Sequence, residues 1–143
     1  MINKDLVTNK MADMRKYLEE LMPILQHGSR EIIDDNLKLR SVERLFQLIV
    51  DTAIDINTYI IIESEISVPD DYQSTFMILG EHSMLPMDFA QAIAPSVGLR
   101  NLIVHKYGRV DIGRMIDDVK NNIGQYKDYL KHISEFTKKM NHV

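Results

Sequence analysis

Arg100, Asn101, His105, Lys106 and Tyr107 place five chemically capable side chains within eight consecutive residues. No acid interrupts the run from Leu99 to Arg109. Arginine offers a planar fork for phosphate oxygens and stays charged at any working pH. Histidine is the side chain that takes and gives a proton near neutrality. Together they are the minimum for cutting RNA without a metal. A base removes the ribose 2′-OH proton, the oxygen attacks the adjacent phosphorus, and a cation stabilises the crowded phosphorane. The leaving oxygen also needs an acid. One histidine does not easily fill both roles, so a symmetric dimer joining two copies of the segment would complete the site. The same Arg, His and Lys at a helix end also suit the helix dipole, and spacing alone leaves that structural alternative open.

At about 100° per residue, Arg100, Asn101, His105 and Tyr107 share one arc of a helix. Leu99, Leu102 and Ile103 take the opposite side and face a core. Asn101 and His105 are i,i+4 neighbours. Val104 lies inside the polar arc, which hints at contact with another surface. Lys106 and Arg109 either assist RNA binding or are ordinary exposed bases beside a helix end.

The elements that must hold this segment read as helices. Val7, Met11, Met14, Leu18, Leu21 and Leu25 recur at steps of four and three, an amphipathic stripe that His27-Gly28-Ser29 stops with a left-handed glycine cap. A second long helix runs from about Asp34 to Glu65, with a possible break at Arg40-Ser41. Ser67 to Asp71 reads as a loop, followed by a short helix from Tyr72 to Gly80. Another follows from Met87 to Ala94 after Pro86. Pro95 starts the helix of Ser96 to Lys106, closed by Gly108. A last helix carries Ile112, Ile116, Val119, Ile123, Tyr126, Leu130 and Ile133, with Asp111 as its cap. No segment alternates with period two. The expected fold is an all-α antiparallel bundle of about five helices in one domain, residues 1–143.

Composition narrows the function classes. The 143 residues contain no cysteine, which excludes disulfide scaffolds, thiolate metal sites and cysteine nucleophiles. The net charge of −4 disfavours binding a polyanion through overall charge. That total conceals an uneven distribution. Residues 1–50 carry 8 basic and 8 acidic side chains, residues 51–95 carry none and 8, and residues 96–143 carry 9 and 5. The N-terminus lacks the apolar stretch of a signal peptide, and no run approaches ~18 consecutive apolar residues. A soluble cytoplasmic protein is expected. His27, His82, His105, His132 and His142 show no metal-ligand spacing. Asp51 and Asp55 share a helix face, most simply as a solvated face or as partners for a basic helix. Asp117-Asp118 suit the start of a helix. No metal or cofactor is expected. Met11, Met14, Met22, Met77, Met84 and Met87 read as apolar fillers on helices.

Arg100-Asn101-Leu102-Ile103-Val104-His105-Lys106-Tyr107, followed by Val110-Asp111, resembles the signature of the HEPN superfamily. More narrowly, it is similar to the Arg-x4-His-x-Tyr motif of the HepT-like toxins. The runs Glu43 to Ile56, Val68 to Asp70 and Phe76 to Leu79 extend the resemblance over about residues 30–135. It implies an all-α domain that forms a symmetric homodimer and cleaves RNA without a metal. Arg100 and His105 would be the catalytic pair, with Asn101 and Lys106 in support. The family's partner is a minimal nucleotidyltransferase (MNT) antitoxin, which would transfer AMP from ATP to Tyr107. The added bulk and negative charge would then block the place of an RNA phosphate. Asp55 matches a recurring family acid only loosely. The alternative is a non-catalytic HEPN module that holds a nucleotidyltransferase partner, its acidic middle docking a basic surface. A plain regulatory bundle, in which Tyr107 only packs, is the third reading.

Overall fold

The computed structural model describes residues 1–105 and 110–140. These form eight helical segments: α1 (Lys4–Leu25), α2 (Ser29–Asp34), α3 (Asn36–Glu63), α4 (Gln73–Glu81), α5 (Met87–Ile93), α6 (Ser96–His105), α7 (Ile112–Asn122) and α8 (Gly124–Lys139). The all-α expectation holds. The bundle has more segments than the expected five because a short helix, α2, fills the stretch between the first two expected helices and a turn at Ile123 divides the last one.

The first stripe folds as its spacing requires. Asn3 caps α1 by accepting hydrogen bonds from the Asp5 and Leu6 backbone N–H groups, at 3.0 and 3.3 Å. All six stripe residues, Val7 to Leu25, are buried. Gly28 takes no left-handed conformation. Its φ is −62°, and it begins α2 by accepting from the Ile32 N–H.

The long central helix α3 does not break at Ser41. Asp35 caps it through the Leu37 and Lys38 N–H groups. Leu39 and Val42 on either side of Arg40-Ser41 are both buried, so the core-facing stripe runs through the candidate break. This helix packs against α1, α2, α4 and α6. By length and composition it could cross a membrane, but 61% of its most apolar window is buried inside the fold, as suits a core helix.

The last stripe is also preserved, although its helix is divided. Ile116, Val119, Ile123, Tyr126, Leu130 and Ile133 are buried. At Ile123 the chain makes a tighter turn, with the Tyr126 N–H bonded to the Ile123 carbonyl, and α8 restarts at Gly124. Ile112, expected on the buried side, is 39% exposed, and Met115 takes that place. Asp111 caps α7 as expected. Of the named methionines, Met11 and Met14 are buried and Met22, Met77 and Met84 pack partly against the core, whereas Met87 is exposed.

Two phenols of α8 tie the bundle together. Ser96 Oγ donates to the Ile93 carbonyl at 2.7 Å, so the Tyr126 hydroxyl, 2.6 Å away, must be the donor to Ser96 Oγ. The Tyr129 hydroxyl donates to Asn57 Oδ1 at 2.6 Å. Asn57 Nδ2 donates to Thr75 Oγ1 at 3.2 Å, and Thr75 Oγ1 donates to the Tyr72 carbonyl at 2.7 Å. One helix thereby anchors the start of α6 and the entry to α4.

Burial pushes the ionisation of both phenols well above its ordinary value. A raised folded-state pKa stabilises fully below the unfolded value of about 10 and is lost as pH rises beyond it. Alkaline titration is therefore expected to leave these two phenols protonated well beyond the ordinary phenol range. Tyr126 and Tyr129 should ionise only as the helical circular dichroism collapses. A single transition near the ordinary phenol value, with the helices intact, would contradict this burial.

Candidate active site

Helix α6 presents the motif because its two ends differ. Ser96 and Val97 are buried at its start, and Ile103 packs into the core. Leu99 also packs partly against the core, as its side of the helix requires. The opposite side carries Arg100, Asn101 and His105 onto one wall of an open cleft of about 500 Å³, with Val97 at its base. The far wall is the turn into α4: Asp70, Asp71, Tyr72 and Gln73. The sequence placed Arg100, Asn101 and His105 together, and they do line one cleft. Lys106 and Tyr107 lie outside the described residues, as do Gly108 and Arg109.

Arg100 is held from two sides. Its Nε donates to Asp51 Oδ1 at 2.7 Å, and its Nη1 donates to Asn101 Oδ1 at 3.0 Å. Asp51 belongs to α3, so the ion pair fastens the motif helix to the central helix. The Arg100 side chain is only 15% exposed, against 34% for Asp51. Charge-assisted bonds in this setting are stronger and more directional than those at a free surface. Of the five donors on a guanidinium, two are thus engaged, and the rest remain able to grip phosphate oxygens. His105 is exposed at the end of α6.

Asp51 is the site residue that sequence reasoning did not assign to the site. Its signal was the Asp51/Asp55 pair on one face of α3, read as a solvated face or as partners for a basic helix. Both residues pair with a cation, with different consequences. Asp55 pairs with Lys10 of α1 at 3.6 Å on the surface, away from the motif. Asp51 takes Arg100. Among the described residues no three His, Asp or Glu side chains gather as a metal site would require. Asp117 instead accepts from Ser29 Oγ at 2.7 Å, joining α7 to α2.

The electrostatics also differ from the linear reading. The stretch from Leu99 to Arg109 contains no acid, yet folding brings Asp51, Asp70 and Asp71 to the cleft or to Arg100. Asp71 accepts from the Ser74 N–H at 2.8 Å and from Ser74 Oγ at 2.9 Å. These bonds from the Ser74 hydroxyl and then its N–H hold the Asp71 carboxyl below its ordinary value, so it is ionised at neutral pH. Among the described residues of the cationic C-terminal third, Arg100 lines the cleft, but the lysines of α8 do not gather there. Lys127, Lys131 and Lys138 line a separate groove between α8 and α1, beside Arg15.

These features define a helical domain with an Arg-Asn-x3-His face set in a surface cleft. Residues 14–133 match the family described as Ribonuclease HepT-like, and the chain belongs to that family. Among curated relatives, a tRNA nuclease HepT of Aphanizomenon flos-aquae is 29% identical over 133 residues, covering 92% of this chain and 89% of the relative. An mRNA nuclease HepT of Shewanella oneidensis is 21% identical, covering 88% and 94%. Among solved structures, the tri-AMPylated Shewanella oneidensis HEPN toxin in complex with MNT antitoxin superposes with a TM-score of 0.84 at 21% identity, covering 94% of this chain and 99% of that one. The cytosolic protein YutE of Bacillus subtilis, of unknown function, shares the fold with a TM-score of 0.82 at 14% identity, covering 97% and 93%.

Proposed function

We propose that the protein is the toxin of a type II toxin–antitoxin pair, an endoribonuclease that cleaves RNA without a metal at a site composed from two copies of the chain. The observation that carries this reading is the placement of Arg100 and His105 on one wall of one cleft, with Arg100 pinned by Asp51 and Asn101. The relatives described as tRNA and mRNA nucleases support the substrate class.

In the proposed step, neutral His105 takes the proton of a ribose 2′-OH. The oxygen forms a bond to the adjacent phosphorus while Arg100 stabilises the charge on the phosphoryl oxygens. The bond from phosphorus to the 5′-oxygen breaks, and that oxygen takes a proton from protonated His105 of a second copy. The products are a 2′,3′-cyclic phosphate and a 5′-hydroxyl. Val104, 36% exposed within the polar arc, supports a self-contact beside the site. Lys106 would add positive charge next to His105. The natural place of action is the cytoplasm, where RNA is available.

Neutralisation would come from an MNT-type antitoxin, as the complex of the Shewanella toxin suggests. The hydroxyl of Tyr107 would attack the α-phosphorus of ATP, releasing pyrophosphate and leaving AMP two residues from His105. The direct test is incubation of the purified protein with total RNA in the presence of a chelator. Fragments ending in cyclic phosphate are expected, and intact RNA under every condition would overturn the reading. Tyr107→Phe is expected to remain toxic on expression and to escape the antitoxin. Normal neutralisation of that variant would remove Tyr107 as the modified residue.

A further inference from the structure

The wall of the cleft that faces the motif has a chemistry of its own. Tyr72 is 55% exposed, although the turn that carries it is firmly held. Its carbonyl accepts from Thr75 Oγ1, which is linked through Asn57 to the buried Tyr129. Asp71 clamps the same turn through both of its bonds to Ser74. The backbone beneath the ring is therefore tied to the core of the bundle. Among the described residues, the side chains of Asp70, Tyr72 and Gln73 make no hydrogen bond or ion pair, although all three line the cleft. Nothing in the folding of the turn uses them.

The two walls differ in charge. Asp70 and Asp71 repel phosphate, while Arg100 attracts it. A nucleotide entering the cleft would turn its phosphate toward α6 and its base toward the turn. An exposed aromatic ring is a stacking platform for an unpaired base, and a carboxylate accepts hydrogen bonds from base N–H groups.

Building on the ribonuclease reading, we propose that Asp70, Tyr72 and Gln73 form a base-reading subsite for single-stranded RNA. Tyr72 stacks on an unpaired base flanking the cleaved phosphate. Asp70 selects a base with adjacent N–H donors on its Watson–Crick edge, which is guanine. The Gln73 amide, with a donor and an acceptor, completes the polar edge. The cleft is thus divided into a phosphate side and a base side.

The test measures binding apart from cleavage. Short 2′-O-methyl oligonucleotides lack the attacking hydroxyl, so they bind without being cut. Affinity is read by fluorescence anisotropy for a uridine oligomer and for the same oligomer with one guanosine. The native protein is expected to prefer the guanosine oligomer. Tyr72→Ala should weaken binding about five-fold or more, while Tyr72→Phe, which keeps the ring, should bind as the native protein does. Asp70→Asn should erase the guanosine preference and leave uridine binding unharmed. Circular dichroism checks that each variant is folded. Equal affinity of native protein and folded Tyr72→Ala, an unchanged base ranking in Asp70→Asn, or no binding by the native protein would overturn the subsite. Ring-dependent binding without cleavage of ordinary RNA would overturn the nuclease reading alone.

Discussion

His105→Ala is expected to yield a folded protein that no longer inhibits growth and cleaves RNA at least about a hundred-fold more slowly than the native chain, the usual scale for loss of a general acid–base group. The fold should survive because His105 sits exposed at the end of α6, beyond the buried anchors Ser96, Val97 and Ile103. Arg100→Ala should lose comparable activity for a different reason, the absence of a cation beside the phosphorane. That variant also leaves Asp51 without its cationic partner, so its stability must be measured alongside. Thermal unfolding with and without RNA, together with single-turnover cleavage, separates the two effects. In a composite dimer site, mixing His105→Ala with native chains should produce heterodimers that retain one histidine and lose most of their activity. Full cleavage by folded His105→Ala would place the chemistry elsewhere.

Asp51→Ala is the second large expected effect, and its signature is a split between rate and binding. Asp51 fixes the Arg100 guanidinium by a 2.7 Å bond from Nε. Without it, Asn101 alone holds the fork, and the charge loses its aim. Misplacing a catalytic group by about 1 Å can cost about a hundred-fold. The single-turnover rate is therefore expected to fall ten- to a hundred-fold, about what a loosened fork should lose. RNA binding should move the other way or stay level, because a negative charge has been removed beside the cation. Asp51→Asn, which can still accept from Nε, should recover part of the rate. A loss of affinity with an unchanged rate would mean that Asp51 does not position Arg100.

The helices and the motif face were legible in the linear sequence because both depend on spacing. The α1 stripe of Val7 to Leu25 is buried as read, and the arc of Arg100, Asn101 and His105 reaches one wall as 3.6-residue periodicity requires. Breaks were less legible. Ser41 is a competent cap that the continuous apolar side of α3 overrides, since breaking there would expose Leu39 and Val42. Ile123-Gly124 breaks a stripe whose period gave no warning, because a single tight turn keeps the buried positions almost in register.

What the sequence by itself determined is the local chemistry: an all-α chain with an Arg-Asn-x3-His face free of acids along the run. The surroundings of that face were decided by tertiary structure alone. Asp51 lies 49 residues before Arg100, and Asp70 to Gln73 come from another loop. Helical periodicity relates residues a few positions apart. It carries no information on which face of one helix meets another, and that meeting gave Arg100 its carboxylate and the cleft its second wall.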